Sequence, residues 1–184
     1  MAFKLKYDNV EKYLRSYGKY IVRQAKNILS NRQASGKLAN SLKYKLIKDK
    51  DGYDLKFLAS KYGKFIEKGV SGTEVTRTYI TMDGKRKSSP FRYKRGVGNA
   101  PNIGAIRKWI SLKGIQGRND LGQYISNKSL AYLFSKSIQR KGIKAASYYA
   151  KPLSWSYKKF SEDLEKHYKD DVLKEIKAFK KTLK

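Results

Sequence analysis

Residues 42–58 read LKYKLIKDKDGYDLKFL, and they contain the clearest hairpin pattern in the chain. Apolar side chains occupy every second position on both sides of the Asp-Gly pair at 51–52: Leu42, Tyr44 and Leu46 before it, Tyr53, Leu55 and Phe57 after it. Such alternation is typical of strands, and Asp51-Gly52 favours the positive backbone angles of a two-residue turn. The stretch therefore predicts an antiparallel hairpin.

A long helix is predicted before the hairpin. An apolar side chain recurs every three or four residues across Asp8–Ser30, at Val10, Leu14, Tyr17, Ile21, Ala25 and Ile28. This spacing places the side chains on one helical face, and Asp8 or Asn9 can cap the first turn. Gly18 costs the helix a little stability, but its lack of a side chain lets a neighbouring element come close.

A second hairpin is predicted further along the chain. Residues 62–69 first predict one or two helical turns that end at Gly69. The hairpin then runs out over residues 75–81, turns at 82–84 and returns through Phe91 and Tyr93.

Two helices are predicted in the third quarter of the chain. Pro101 suits the first turn of a helix that stops by Gly114 and shares one face among Ile103, Ile106, Trp109 and Ile110. Residues 115–125 are rich in Gly, Asn and Asp, which predicts a loop. Ser126 or Asn127 can cap the next helix, which ends at Gly142. Its predicted core residues are Leu130, Leu133, Phe134 and Ile138.

The longest pattern in the chain follows Pro152. Apolar side chains keep spacings of three or four up to residue 183, at Leu153, Tyr157, Phe160, Leu164, Tyr168, Val172, Ile176, Phe179 and Leu183. This stripe predicts a long C-terminal helix that needs a partner helix, either within the chain or on a neighbouring copy. The candidate assembly residues are therefore Tyr157, Phe160, Leu164, Tyr168, Val172, Ile176 and Phe179.

These elements predict an α+β fold. An antiparallel sheet of hairpins packs against a long N-terminal helix and further helices, and a long C-terminal helix completes the chain. A length of 184 residues fits one domain with an appendage. We expect an α+β domain at residues 1–152, with a basic hairpin arm at 73–98, and a C-terminal amphipathic helix at 153–184.

The net charge restricts the class of partner. Forty-three Lys and Arg face fifteen Asp and Glu, a formal charge of +28, and residues 153–184 account for only +3 of it. A positive field of this size predicts an anionic partner, either nucleic acid or an acidic protein surface. The chain has no cysteine, which excludes disulfides and thiol chemistry and favours an intracellular origin. Its N-terminus lacks the apolar stretch of a signal peptide, and we expect no membrane insertion.

The basic charge is dense in residues 73–98, here called the basic arm. The arm holds seven basic side chains against Glu74 and Asp83: Arg77, Lys85, Arg86, Lys87, Arg92, Lys94 and Arg95. Unpaired charges are costly to bury, so most of these must face solvent or an acid. We expect the basic arm to project from the body and to contact an anionic surface or DNA. The alternative is a solvated loop that aids solubility.

The sequence predicts no catalytic residue, no metal site and no cofactor. Asp49, Asp51 and Asp54 do not fit a calcium loop, because Gly52 falls at its fourth position rather than its sixth. Six acids of the C-terminal helix alternate with lysines, which favours a solvated face over a metal site: Glu162, Asp163, Glu165, Asp170, Asp171 and Glu175.

Two aromatic features have competing interpretations. His167 has no partner at site spacing and is interpreted as a flanking residue, with a role in contacts as the alternative. Tyr13, Tyr17 and Tyr20 lie near one face of the first helix. Rings at helical spacing favour packing over the stacking of nucleic-acid bases.

Four short segments in a fixed order carry a resemblance to a known family. They are residues 35–42 (SGKLANSL), 62–69 (YGKFIEKG), 101–115 (PNIGAIRKWISLKGI) and 131–153 (AYLFSKSIQRKGIKAASYYAKPL). This order resembles the neck and tail-completion (head-tail joining, minor tail) protein family of tailed bacteriophages. Its members typically run a small-residue turn into a strand, an aromatic-Glu-Gly turn, a Pro-led helix and a helix that ends in Gly-Ile. The long basic arm and the high charge depart from that pattern.

The resemblance implies a structural virion protein without catalysis or cofactor. Such a subunit forms a homo-oligomeric ring at the head-tail junction or the upper end of the tail, and is made in the host cytoplasm. The implied partners are portal, adaptor or tail proteins, with contact to genomic DNA as a further option. The residues alone leave an alternative open, a free basic protein that binds nucleic acid without sequence specificity. A nuclease ranks last.

Overall fold

A computed structural model describes residues 6–31, 36–49, 52–96 and 98–182 of the chain. Its elements in chain order are the helices α1 (Asp8–Ser30) and α2 (Gly36–Ser41), the strands β1 (Lys43–Asp49) and β2 (Gly52–Leu58), helix α3 (Gly63–Lys68), the strands β3 (Thr78–Ile80) and β4 (Arg86–Ser88), helix α4 (Ile103–Lys113), the strands β5 (Gly117–Arg118) and β6 (Tyr124–Ile125), and the helices α5 (Asn127–Lys141) and α6 (Ala150–Thr182). In this part of the chain the strands form three antiparallel hairpins, β1–β2, β3–β4 and β5–β6. The α+β fold class is confirmed.

The chain divides into two compact units. Unit 1 comprises Met1–Gly63, Thr81–Lys85 and Tyr148–Lys184, and unit 2 comprises Lys64–Ile80 and Arg86–Ser147. Both long helices, α1 and α6, belong to unit 1. None of the described helices has the length and apolar character needed to cross a membrane.

The β1–β2 hairpin has the predicted alternation, with Gly52 in the strand rather than in the turn. Tyr44 pairs with Phe57 and Leu46 with Leu55, so the alternating apolar side chains share one face. Asp49 pairs with Gly52. Gly52 is therefore the first residue of β2, and the prediction that it lies in the turn is wrong, whereas Asp51 lies outside the described residues.

Helix α1 has the predicted bounds and forms the core of unit 1. Its buried residues are Val10, Leu14, Gly18, Ile21, Ala25 and Leu29. The close approach predicted at Gly18 is confirmed, since a Cβ there would lie 2.5 Å from the Tyr44 ring. Tyr148 and Tyr149 are also buried in unit 1, and the Tyr149 hydroxyl donates to the Leu58 carbonyl at 2.8 Å.

Helices α4 and α5 pack together in unit 2. Ile110, Leu130 and Ala131 form their buried contact. Asn102 caps α4 by accepting a hydrogen bond from the Ala105 N–H at 3.0 Å. Pro101 therefore precedes the cap. The prediction that it lies in the first turn of the helix is wrong.

The other end signals of α4 and α5 are largely as predicted. Ser126 caps α5 through the Ser129 N–H at 3.1 Å, and Gly114 and Gly142 end the two helices at φ 62° and 72°. Leu133 is 54% exposed and is no core residue; Gln139, 6% exposed, is buried on α5 instead.

The short elements differ most from expectation. Residues 36–41 form a helix, α2, where the family pattern implied a turn leading into a strand. The predicted loop 115–125 contains the β5–β6 hairpin, in which Arg118 stacks on the Tyr124 ring at 4.1 Å. The helical turn that ends at Gly69, with φ 68°, is confirmed as α3.

Candidate functional site

Helices α1 and α6 run antiparallel within unit 1. Asn9, near the start of α1, contacts Asp171, whereas Tyr17, two turns later, contacts Ser156 with 2.8 Å between the hydroxyl oxygens. We call this contact the α1–α6 seam, formed by Asn9, Val10, Tyr13, Tyr17, Ser156, Phe160, Asp163, His167 and Asp171. The chain itself therefore supplies a partner helix for α6.

Asp171 caps α1 from the opposite helix. Its carboxylate is 1% exposed and accepts hydrogen bonds from the N–H groups of Asn9, at 3.1 and 3.0 Å, and Val10, at 3.0 Å. No side chain caps the helix locally at Tyr7, so the predicted capping by Asp8 or Asn9 is wrong. The solvated face predicted for all six acids of α6 is wrong for Asp171, because free N–H groups and the helix dipole stabilise a carboxylate at this position.

Aromatic rings fill the middle of the seam. The Phe160 ring lies 4.4 Å from Tyr17 and 5.9 Å from Tyr13, between ring centroids. His167 is half-buried, with its ring 4.9 Å from that of Tyr13. Its interpretation as an ordinary flanking residue is wrong, since His167 belongs to the packed seam. Tyr13 and Tyr17 pack as their helical spacing favours.

The seam shifts the ionisation of its tyrosines. Burial and the negative charge of Asp163 raise the pKa of Tyr13 to about 12, and the Tyr13 hydroxyl donates to the Asp163 carboxylate at 3.4 Å. Burial also raises the pKa of Tyr17. Both phenols therefore stay neutral, and can donate hydrogen bonds, at physiological pH.

The predicted stripe of α6 coincides with the seam only in part. Phe160, Leu164 and Val172 are half-buried. The other four candidate assembly residues are exposed: Tyr157 by 67%, Tyr168 by 48%, Ile176 by 42% and Phe179 by 50%. Trp155 and Leu173, which the stripe did not include, add exposed fractions of 72% and 53%. Large apolar side chains of α6 are therefore in contact with solvent. We call them the exposed row: Trp155, Tyr157, Tyr168, Leu173, Ile176 and Phe179.

An apolar groove opens in unit 1 beside this row. It has a volume of about 610 Å³, and its lining includes Leu55, Phe57, Met82, Leu153 and Tyr157. Met82 belongs to the tip of the basic arm, Thr81–Lys85, which lies in unit 1. The predicted turn is present, with Gly84 at φ 77°. We expect from the sequence that the arm projects, but its tip packs within unit 1: a Cβ on Gly84 would lie 3.0 Å from the Ser154 hydroxyl.

The seven basic side chains of the arm fall into separate groups. Lys85, Arg86 and Lys87 are exposed at the tip and on β4, and Lys85 lies 3.5 Å from the Asp83 carboxylate. Arg77 is half-buried, and its Nε has no hydrogen-bond partner in the described residues.

The remaining three basic side chains line a concave site in unit 2. The site has a volume of about 420 Å³ and is formed by Thr73, Arg92, Tyr93, Lys94 and Arg95, here called the basic cradle. Sequence reasoning named its three cations but missed Thr73 and Tyr93. Those two carry no charge, and no local pattern signals that segments some twenty residues apart lie side by side.

No group of three or more His, Cys, Asp or Glu side chains within residues 6–31, 36–49, 52–96 and 98–182 could hold a metal ion. Comparison with known proteins finds no family model, no curated protein and no solved structure that matches this chain.

Proposed function

We propose that this protein is a structural virion protein, a ring-forming subunit at the head-tail junction of a tailed bacteriophage. It acts at the neck or in tail completion and performs no catalysis. Its partners are further copies of itself and portal, adaptor or tail proteins.

The observation that carries this proposal is that segments of the family pattern contact one another within each unit: the first, second and fourth in unit 1, and the third and fourth in unit 2. In unit 1, a Cβ on Gly63 of the second segment would lie 3.1 Å from Leu38 of the first and 2.6 Å from the Tyr148 hydroxyl of the fourth. In unit 2, Ile110 of the third segment and Ala131 of the fourth share one buried cluster. The four segments therefore contribute buried contacts to the two units, as the structural elements of the family pattern are expected to do.

The second and fourth segments also meet through their Gly-ended turns. Val70 and Ile143 exchange two backbone hydrogen bonds of 2.9 and 2.7 Å. A Cβ on Gly69 would lie 2.7 Å from the Ile143 carbonyl oxygen, so the glycine that ends the aromatic-Glu-Gly turn is needed for this approach.

The exposed row on α6 supports the oligomeric part of the proposal. Helix α6 carries six large apolar or aromatic side chains with exposed fractions from 42% to 72%, and exposed apolar surface of this kind is available for a protein contact. Helix α6 also carries six acids against nine bases, so it can approach a second copy with less repulsion than the more basic remainder of the chain.

A second candidate, a free nucleic-acid-binding protein, is favoured by the charge of +28 alone. The two candidates differ in self-association. We expect the purified protein to form rings visible by negative-stain electron microscopy, alone or when co-expressed with portal and tail proteins of the same genome. A protein that stays monomeric in both experiments and binds duplex DNA with a steep salt dependence is the alternative.

A further inference from the structure

The basic cradle of unit 2 is built on a fixed backbone. The Ser71 N–H donates to the Phe91 carbonyl at 2.7 Å, and the Tyr93 N–H donates to the Ser71 carbonyl at 2.9 Å. These bonds hold the two cradle segments side by side. The Thr73 N–H is fixed in turn by the Gln139 carbonyl at 3.0 Å.

Gln139 holds the other cradle segment through its side chain. It is 6% exposed, and its Nε2 donates to the carbonyl oxygens of Lys94, at 3.0 Å, and Gly96, at 3.1 Å. The backbone that carries Lys94 and Arg95 is thus tied to the buried face of α5. Arg92 is oriented by its own bond, from Nη2 to the Thr76 hydroxyl at 2.8 Å.

Acids do not neutralise the cradle. Unit 2 contains seventeen Lys and Arg but only three acids, Glu67, Glu74 and Asp120. Glu74, the acid nearest along the chain, is held by Arg140 at 2.7 Å. That hydrogen bond lowers the pKa of Glu74, and the positive charges of Arg95 and Lys141 lower it further. Within the described residues, Arg92, Lys94 and Arg95 form no ion pair.

We propose that the basic cradle binds the phosphate backbone of duplex DNA. Two guanidinium groups and an ammonium group, with the Thr73 hydroxyl between the segments, supply the charged donors that phosphate oxygens accept best. Contacts of this kind position a protein on DNA and read no sequence. Three cations that line one open concave surface suit a polyanion, which releases several counterions when it binds, better than a single free ion.

This inference deepens the proposed function and rests on it for the choice of DNA, the polymer that passes through a head-tail junction. The binding itself is measured separately from assembly. The test compares two triple variants with equal loss of charge in the same unit. One is Arg92→Gln, Lys94→Gln, Arg95→Gln; the other is Arg107→Gln, Lys108→Gln, Lys113→Gln, on the exposed side of α4.

The measurement is the dependence of duplex-DNA affinity on salt. Each phosphate contact contributes about 0.9 to the slope of log K against log salt, so the cradle variant should flatten the slope by about 2 to 3 and the α4 variant by less than about 1. Circular dichroism and thermal unfolding must match wild type for both. Equal flattening by the two variants would mean that net charge alone binds DNA, and would overturn the cradle assignment.

Two further binding measurements identify the ligand. Millimolar inorganic phosphate should not displace the duplex, and duplex RNA should bind no more tightly than duplex DNA. Displacement by phosphate, or a preference for RNA, would contradict the proposal. A cradle variant that loses DNA affinity but still assembles supports the cradle. If wild type binds DNA through the cradle yet never assembles, the proposed function fails and the cradle assignment stands.

Discussion

Asp171 is a carboxylate that lies almost wholly out of solvent, and its surroundings explain why it stays there. Burying an unpaired charge is expensive, whereas a carboxylate that accepts several N–H bonds at a helix N-terminus is stabilised. Asp171 accepts from the N–H groups of Asn9 and Val10. It therefore links α6 to α1 by a charged cap, and the linked residues are more than 160 positions apart in the sequence.

We expect Asp171→Asn to destabilise the protein by about 1 to 3 kcal/mol, since it removes the charge and one acceptor from a buried hydrogen-bonded site. Asp170→Asn is the matched control. It makes the same charge change at an exposed neighbour and should cost less than about 0.5 kcal/mol. Urea unfolding measures both. Equal midpoints for the two variants would show that Asp171 does not cap α1.

Tyr13 gives the seam an alkaline limit. Its pKa is raised to about 12 in the folded state, above the value of about 10 for an unperturbed phenol. Because the folded state holds the Tyr13 proton more tightly than the unfolded state, this group adds to the free energy of unfolding. That addition is fully present below about pH 10 and is lost as the pH rises towards 12. Phenolate absorbance should show several tyrosines that titrate late, Tyr17 among them, and the component with the highest midpoint should be missing in Tyr13→Phe. Asp163→Asn should lower its midpoint. A Tyr13→Phe protein with an unchanged alkaline titration would contradict this assignment.

The sequence could not reveal the roles of Asp171 and Tyr13, because each role depends on a contact with a helix that is distant along the chain. Local rules placed the cap of α1 at Asp8 or Asn9, the residues next to the helix start. Hydropathy assigned Asp171 to solvent for the same reason, since periodicity sorts side chains by polarity and takes no account of a partner that offers unpaired N–H groups. His167 was missed likewise, because Tyr13 becomes its neighbour only when α1 packs on α6.

At the scale of elements, helix α1 and the β1–β2 hairpin were predicted closely, whereas helix α2 and the β5–β6 hairpin were not predicted. Helix α1 and the β1–β2 hairpin have many residues that repeat one pattern. The β5–β6 hairpin has only two residues in each strand, too few for alternation to be visible in the sequence. The cradle was half predicted, since charge identified its cations but not the buried Gln139 that positions them.

The face of α6 that packs on α1 coincides only in part with the apolar stripe predicted from the sequence. Its buried face includes Ser156, Phe160, His167 and Asp171, one residue away from several stripe positions. The tyrosines of α1 explain this rotation, because their hydroxyl groups need polar partners while their rings need aromatic ones. The seam thus selects a mixed face of α6, and much of the apolar row stays outside it.

We expect the exposed row to mediate self-association. Tyr157→Ser with Ile176→Ser should weaken self-association at least about tenfold and change the stability by less than about 1 kcal/mol, because both side chains are exposed. Lys158→Ser with Lys177→Ser, on the same helix, is the control. Leu164→Asp, at a half-buried position, should instead lower the stability itself. Analytical ultracentrifugation and thermal unfolding separate the effects. Unchanged sedimentation of the Tyr157 and Ile176 variant would exclude the row as the interface.

At the scale of the whole molecule, the charge of +28 opposes any assembly of identical copies. A subunit with this charge can associate only where apolar contact outweighs repulsion, or where an anionic partner compensates it. The exposed row on α6 offers the first route and the cradle of unit 2 the second. The two routes respond to salt with opposite signs.

We therefore expect self-association to strengthen with salt while DNA binding weakens. Raising the ionic strength from about 0.05 M to about 0.5 M shortens the Debye length severalfold, so repulsion between copies falls while the apolar contact is retained. Over the same range the affinity for duplex DNA should fall steeply, because counterions compete for the phosphates. Sedimentation and fluorescence anisotropy at matched salt concentrations measure the two trends. The Tyr157→Ser, Ile176→Ser protein should lose the salt-promoted oligomer and keep its DNA affinity, whereas the cradle variant should do the reverse. Oligomers that dissociate as salt rises would mean that ion pairs, and not the apolar row of α6, hold the copies together.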